Sequence, residues 1–302
     1  MERLINPKTT TAISRISAQP DVLLVYQDSK SASAGSHNGT FNAVPATEDA
    51  QPATCKPQPE SRNPKPATRN PQPCFAVNLG LMDYNQAWAL QSDLVAAKID
   101  GRLSRDIILL VEHPSVFTLG RRGGRDYLQV GEAVLKQAGI PIVQAERGGY
   151  ITFHGPGQAV VYPIFDLEER RLGVAEYVAA LEEIMLQTVG SLGLQAQRSS
   201  TNPGIWMDNR KMGSIGIALR KGISFHGLAL NVNLDLAPFS WIQPCGLAGV
   251  SMTSVQQELG KKMPMQIVFQ SLKKNFQSVL GLSINDLSCS DLQPLLNGKC
   301  LE

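Results

Sequence analysis

No run in this sequence approaches the roughly 18 uninterrupted apolar residues that a membrane span requires. The stretch from Ile107 to Val111 has the length of a buried strand instead. Charge of one sign is also missing: 28 Lys and Arg face 26 Asp and Glu, for a net charge of +2. So balanced a field carries no footprint for nucleic acid or an anionic membrane surface. Cysteine is sparse, with five residues at positions 55, 74, 245, 289 and 300, and none forms a CxxC pair. An odd, widely spaced set argues against a disulfide framework or a zinc site and fits a reducing compartment. The GxxxxGK[ST] phosphate loop and the GxGxxG dinucleotide fingerprint are both absent.

What is present is ordinary globular material, 43% apolar and 18% charged over 302 residues, with room for two domains or one domain and an appendage. Composition changes sharply near residue 75. From Ser29 to Pro73 the chain is rich in Ser, Ala, Asn, Thr and Pro, ending in a near-duplicated Asn-Pro-x-Pro unit from Asn63 to Pro73. Proline at that density removes backbone donors and helical freedom, so residues 1–74 are expected to be a disordered, low-complexity extension. Met1 to Pro20 carries Arg3, Lys8 and Arg15 against Glu2 alone, a faint organelle-transit pattern beside the plainer reading of a disordered leader. A short strand between Asp21 and Tyr26 is expected, with no partner assignable from sequence.

From Phe75 the periodicities become regular. Strands are expected at Phe75–Leu79, Asp106–Val111, Phe117–Leu119, Ile140–Gln144 and Gln158–Phe165. A helix capped by Asp83 follows the first strand, and Glu132–Ala138 is a shorter one. Apolar residues from Val174 to Leu192 recur at helical spacing, and Pro264–Leu280 forms a second long amphipathic helix. Between them, strands at Gly204–Met207, Met212–Leu219 and Ser224–Asn233 are joined by tight turns at Asp208-Asn209 and Lys221-Gly222. Helices mixed with largely antiparallel strands in irregular order predict an α+β (mixed α/β) domain over residues 75–282, followed by a C-terminal tail at 283–302.

Four clusters carry polar chemistry. Arg147-Gly148-Gly149-Tyr150-Ile151-Thr152-Phe153-His154-Gly155-Pro156-Gly157-Gln158 combines close-approach glycines with a forked cation and a proton carrier, although such a turn is also a common strand entry. Lys211, in Arg210-Lys211-Met212-Gly213-Ser214-Ile215-Gly216, opens an apolar strand; it is either a snorkelling surface residue or, half buried, a base or thiolate partner. In His226-Gly227-Leu228-Ala229-Leu230-Asn231, strict alternation puts His226 with Leu228, Leu230 and Val232, and Gly227 with Ala229 and Asn231. That small-residue strip is a packing seam or the floor of a groove. Cys245 lies between Pro244 and Gly246, a poor place to hide a thiol, so nucleophile and inert residue stand level. The other four cysteines read as inert, and His113 before Pro114 as a satisfied structural histidine.

Together and in this order, the clusters resemble the octanoyl-carrier-protein:protein N-octanoyltransferase family of lipoate biosynthesis. The resemblance rests on Arg147-Gly148-Gly149, Thr152 to Gln158, Lys211, Ser214-Ile215-Gly216, His226-Gly227, Ala229-Leu230-Asn231 and Pro244-Cys245-Gly246. Glu112-His113-Pro114 and Thr118-Leu119-Gly120-Arg121 add to it. It spans about residues 75–281; Phe153 and Met212 depart from the commoner Tyr and Ile or Leu without removing a reacting group. The resemblance implies a fold like that of biotin and lipoate protein ligases, a mixed, largely antiparallel sheet flanked by helices.

It further implies that Cys245 is the nucleophile and Lys211 the residue that lowers its pKa. Arg147, Gly148, Gly149, Tyr150, Ile151, Thr152, Phe153, His154, Ser214, Ile215, Gly216, Gly227, Leu228 and Ala229 would line the acyl pocket. The implied donor is octanoyl-acyl carrier protein. The implied acceptors are lipoyl domains of 2-oxoacid dehydrogenase E2 subunits and the glycine cleavage H protein, with no nucleic acid or membrane partner. Neither metal nor cofactor is implied, and the location is cytoplasmic, with organelle import as the weaker alternative. Backbone N–H groups near Gly246 or at Gly148-Gly149 are the candidate oxyanion donors. The rival readings are an ATP-dependent lipoate or biotin ligase, a hydrolase pairing Cys245 with His154 or His226, and a non-catalytic binding module.

Overall fold

The computed structural model describes residues 22–23, 72–243 and 250–296. Most of the expected N-terminal extension, Pro244 to Gly246 with Cys245, and the last six residues lie outside the described residues. The short strand expected near Asp21 is present as β1 (Val22–Leu23), and β2 (Gln72–Leu81) begins slightly before the expected boundary.

After β2 the chain enters α1 (Tyr84–Ile99), where the Asp83 carboxylate accepts hydrogen bonds from the backbone N–H of Asn85 at 2.9 Å and Gln86 at 3.2 Å. This cap satisfies donors that the first helical turn leaves open. Strands β3 (Asp106–Glu112) and β4 (Val116–Leu119) are joined across Pro114. Then come α2 (Glu132–Ala138), β5 (Ile142–Gln144), β6 (Ile151–His154), β7 (Gln158–Ile164) and α3 (Val174–Ser191). A short β8 (Gln197–Arg198) leads into β9 (Gly204–Met207), β10 (Arg210–Arg220) and β11 (Ile223–Asn231). The β10–β11 turn places Lys221 and Gly222 at φ of 47° and 79°, the left-handed pair that a tight hairpin requires. Beyond the 244–249 segment lie β12 (Ser251–Met252), α4 (Val255–Leu259), α5 (Met265–Leu280), β13 (Leu282–Leu287) and α6 (Cys289–Leu296).

The main sheet runs β13-β2-β3-β7-β11-β10-β9-β8, with β1 and β12 also paired to β10. Pairing is antiparallel except at β13–β2, β2–β3 and β12–β10, the largely antiparallel arrangement expected. Helices cover both faces. On one, Leu94 and Val95 of α1 and Leu292 of α6 pack on Leu109, Val160 and Phe225. On the other, Leu181, Met185 and Val189 of α3 and Leu272 and Phe276 of α5 pack on Val161, Leu228 and Leu230. A second sheet, β5-β4-β6, carries its own core of Phe117, Ile151, Phe153 and Phe239.

The domain does not stop at residue 282. Strand β13 is the edge of the main sheet, in register with β2 from Leu282 opposite Gln72 to Leu287 opposite Val77, and α6 buries Leu292 and Leu296 against the α1 layer. Polar Asn285 and Asp286 within β13 hid it from a reading based on apolar runs, as an edge strand needs only one apolar face.

Candidate active site

The site forms where the small sheet leans against β10 and β11. Arg147 holds the two together. Its Nε and Nη2 donate to Thr118 Oγ1 at 3.2 and 2.8 Å, Nη2 also donates to the Thr118 carbonyl at 2.6 Å, and Nη1 donates to the Gly148 carbonyl at 3.0 Å. Gly148 N–H in turn donates to the Ile217 carbonyl on β10 at 2.9 Å. That donor is spent on structure, which removes Gly148 from the expected pair of oxyanion donors. The glycines are needed for backbone approach: a Cβ on Gly120 would lie 2.3 Å from the Gly149 carbonyl oxygen, and Gly149 has φ of 85°.

Between this loop and the sheet lies a cavity of about 250 Å³. Its walls include Arg147 to Thr152 and His154 from the first cluster, Lys211 and Ser214 to Gly216 from the second, and Gly227 to Ala229 from the third. Phe153, expected among them, is a correction. Ile151, Thr152 and His154 of β6 reach the cavity, while Phe153 turns into the small-sheet core, its ring 5.2 Å from Phe117 and 5.7 Å from Phe239. Gly227 plays both parts left open by its sequence. It lines the cavity, and a Cβ there would lie 2.2 Å from the Val161 carbonyl oxygen of the neighbouring strand.

Lys211 is buried, 3% exposed, which rules out the surface snorkelling reading. Its Nζ donates to Asn202 Oδ1 at 2.6 Å and lies 5.3 Å from the centre of the Trp206 ring. Asn202 is itself fixed, since its carbonyl accepts from Trp206 Nε1 at 3.2 Å. Gly204 leaves room for the lysine stem: a Cβ there would lie 2.9 Å from Lys211 Cε. Nearby, Glu182 accepts from Gly204 N–H at 2.8 Å; burial pushes its carboxyl up from the ordinary value, opposed by that hydrogen bond and by Arg198 and Lys211. Asn202 and Glu182 were not singled out in the sequence, where neither sits in a recognisable motif.

The far wall is aromatic and imidazole-rich. His113 accepts from Tyr162 OH at Nε2, 2.8 Å, and donates from Nδ1 to the Met82 carbonyl at 2.7 Å, the satisfied structural histidine expected. His154 donates from Nδ1 to Gln158 Oε1 at 2.7 Å; the amide orientation is fixed because Gln158 Nε2 donates to Asn231 Oδ1 at 2.9 Å. Burial lowers the pKa of both histidines, that of His154 furthest. His226 is a second correction. It does not share a side with Leu228 and Leu230; φ of 55° turns its ring to the α1 face, 5.0 Å from Phe225 and 6.1 Å from Tyr162. Burial, then Arg147 and Arg220, lower its pKa to about 3.

Cys245 falls in the 244–249 segment, outside the described residues, but both ends of that segment are placed. Gln243 N–H donates to the Tyr127 carbonyl at 2.8 Å. Beyond it, β12 pairs in parallel with β10, Met252 opposite Lys211, and Met252 lines the cavity. Of the remaining cysteines, Cys74 is buried, with its thiol pushed up by that burial, and Cys289 is exposed.

The lipoyl protein ligase A/B catalytic domain family matches residues 83–277. The chain belongs to this family. Among its relatives, an octanoyltransferase of Desulfotalea psychrophila is 50% identical over 188 residues, 62% of this chain and 84% of the relative. One of Syntrophobacter fumaroxidans is 42% identical over 223 residues, 74% of this chain and 97% of the relative. The family fold is seen in the bi-partite lipoate protein ligase of Thermoplasma acidophilum, which superposes with a TM-score of 0.59 at 16% identity, covering 75% of this chain and 91% of that one. A lipoate-protein ligase A bound with ATP gives 0.58 at 16% identity, covering 75% and 93%. As a lipoyl protein ligase A/B catalytic domain, this chain places its cavity on the face of the sheet shared by β7, β11 and β10.

Proposed function

We propose that the chain is an octanoyltransferase, moving the acyl group of octanoyl-acyl carrier protein to a lysine of a lipoyl domain through a thioester on Cys245. The observation that carries the reading is the buried Lys211 on a largely apolar cavity, with the strand that follows Cys245 paired to it. A free thiol, pKa about 8.5, is only a few per cent thiolate at neutral pH, and a neighbouring cation raises that fraction. The thiolate attacks the donor carbonyl; a carbon–sulfur bond to the enzyme forms as the bond to the carrier breaks, and the carrier sulfur leaves as a thiol by taking a proton from the Lys211 ammonium, which leaves the lysine neutral. The acceptor amine then attacks the acyl-enzyme; a carbon–nitrogen bond forms, Cys245 is released, and the amine proton passes to a base, the role assigned to Lys211.

The donor is already activated as a thioester, so ATP has no part in this sequence. The acceptor lysine belongs to lipoyl domains such as those of 2-oxoacid dehydrogenase E2 subunits or the glycine cleavage H protein, and the reaction is placed in the cytoplasm. Mass analysis of the intact protein after incubation with octanoyl-carrier protein tests the reading: one octanoyl adduct is expected on the wild type and none on Cys245→Ala. Turnover of free octanoate that requires ATP, or full activity in Cys245→Ala, overturns it.

A further inference from the structure

A side chain outside the four sequence clusters grips the Lys211 ammonium. Nζ donates to Asn202 Oδ1 at 2.6 Å, and both residues line the cavity, Lys211 at 3% exposure and Asn202 at 9%. An ammonium only donates, so the amide oxygen is the atom that faces it. Asn202 is fixed through its backbone on two sides: its N–H donates to Ser199 Oγ at 3.3 Å, and its carbonyl accepts from Trp206 Nε1 at 3.2 Å. Trp206 is also the cross-strand neighbour of Lys211 in the β9–β10 pair, with its ring centre 5.3 Å from Nζ. Lysine, asparagine and tryptophan thus close a ring in which the long lysine stem loses the rotamer freedom it would have at a surface.

Charged groups reach this corner from several elements. Glu182 of α3 feels the Lys211 charge, but its carboxylate also faces Arg198 Nε of β8 at 3.3 Å and accepts from Gly204 N–H at 2.8 Å. Arg147 and Arg122 line the same cavity. Arg210, next to Lys211 on β10, is paired with Glu258 of α4 at 2.8 Å, and β12 sets Met252 and the Thr253 backbone against Lys211. The amide that holds Nζ is neutral. Its oxygen accepts from an ammonium and from a free amine alike, so the grip survives a change of protonation. A carboxylate in its place would claim the positive charge and oppose a second anion nearby.

We propose that Asn202 is the positioning residue of Lys211, aiming Nζ at the sulfur of Cys245 and, by being uncharged, leaving the lysine's charge to the thiolate. The inference rests on the Lys211–Cys245 pairing of the proposed mechanism. Its test follows alkylation of Cys245 by iodoacetamide against pH, read by mass analysis of the peptide that carries it, so that the midpoint reports the ionisation of the thiol. The proteins compared are the wild type, Asn202→Ala, Asn202→Asp and Lys211→Met. Substituting the Asn202 side chain spares both of its backbone anchors, and melting curves check each fold.

In Asn202→Ala the alkylation midpoint is expected to rise by about one pH unit, toward that of Lys211→Met, because the released ammonium spends part of its time away from the sulfur. Octanoyl transfer from carrier protein to a lipoyl domain should fall roughly 10–100-fold in the same variant. Asn202→Asp, which keeps an acceptor oxygen of nearly the same shape and adds a charge, is expected to raise the midpoint by at least as much. A purely structural asparagine would lower the melts and leave the midpoint alone, so a wild-type midpoint in either Asn202 variant, with Lys211→Met shifted, overturns this role while the acyl-transfer reading stands. A midpoint unmoved in Lys211→Met removes the lysine–thiolate pairing itself, and the role of Asn202 with it.

Discussion

Thr118 offers a clean way to loosen the glycine loop without touching the cavity. Thr118→Val keeps the shape of a side chain that is fully buried and withdraws one oxygen, which accepts from Arg147 Nε at 3.2 Å and Nη2 at 2.8 Å. The guanidinium cannot respond by losing its charge, and it retains its bonds to the Thr118 and Gly148 carbonyls. A hydrogen bond from a charged donor contributes about 1.5–3 kcal/mol net, so losing both contacts to one oxygen should cost about 3 kcal/mol. In a domain of this size, where 1 kcal/mol moves the midpoint by about 2–4 °C, melting should fall by about 6–12 °C. Because Gly148 and Gly149 line the cavity and rest on Arg147, the apparent KM for the acyl donor should rise alongside. Circular dichroism melts and steady-state kinetics read both effects, and Thr118→Ser, which restores the oxygen, should recover most of each. An unshifted melt in Thr118→Val, or a serine variant no better than valine, refutes the assignment of Arg147 as the clasp between the two sheets.

Gly204→Ala should strip activity and destabilise by ~2–4 kcal/mol, since its Cβ would lie 2.2 Å from the Gly213 carbonyl oxygen and 2.9 Å from Lys211 Cε at φ of 127°; a wild-type melt and rate would contradict the packing around Lys211. Lys211→Met should lower the transfer rate by ~10²–10⁴-fold with the fold intact by circular dichroism, and a rate within a few-fold of wild type would remove the lysine from the chemistry. His113, His154 and His226 all have folded pKa values below the ordinary 6.5. The unfolded chain therefore binds protons that the folded one refuses. Stability is whole above about pH 6.5 and declines as pH falls toward the depressed values, by up to ~1.4 kcal/mol per unit for each histidine. Melts at pH 7.5 and 5 measure this, and equal midpoints would show that these rings are not held neutral.

Much of the architecture could be read from residue order alone. Apolar spacing located α3 and α5, Asp83 announced the start of α1, and β-branched runs gave β3 and β7, because each depends on local chemistry. What escaped depends on backbone angles or on distant partners. Period-two alternation cannot foresee that His226 takes φ of 55° and reverses its side. Gln91 reads as a surface residue on a helix until its amide is found holding the His226 backbone 135 positions away. Asn202 sits in a polar loop, and only the folded chain brings its side chain to Lys211, nine positions on and across the β9–β10 pair. Phe153 escaped because a motif matches as a continuous string, whereas its ring finds its partners in Phe117 and Phe239, far off in sequence.

The way the chain is moored on both sides of residues 244–249 has a practical consequence. Upstream, Ile242 bridges to Leu128; downstream, Thr253 N–H donates to the Lys211 carbonyl at 2.9 Å, and Asn231 Nδ2 to the Thr253 carbonyl at 3.0 Å. Between two such moorings, one added residue changes the entropy of closure by far less than the ~0.6 kcal/mol of a doubling. Lengthening this span would thus be almost silent in a denaturation curve, yet it would alter how far the sulfur reaches from fixed ground. Under the mechanism proposed for Cys245, chain length between the anchors would be a setting of catalysis that thermal stability does not police.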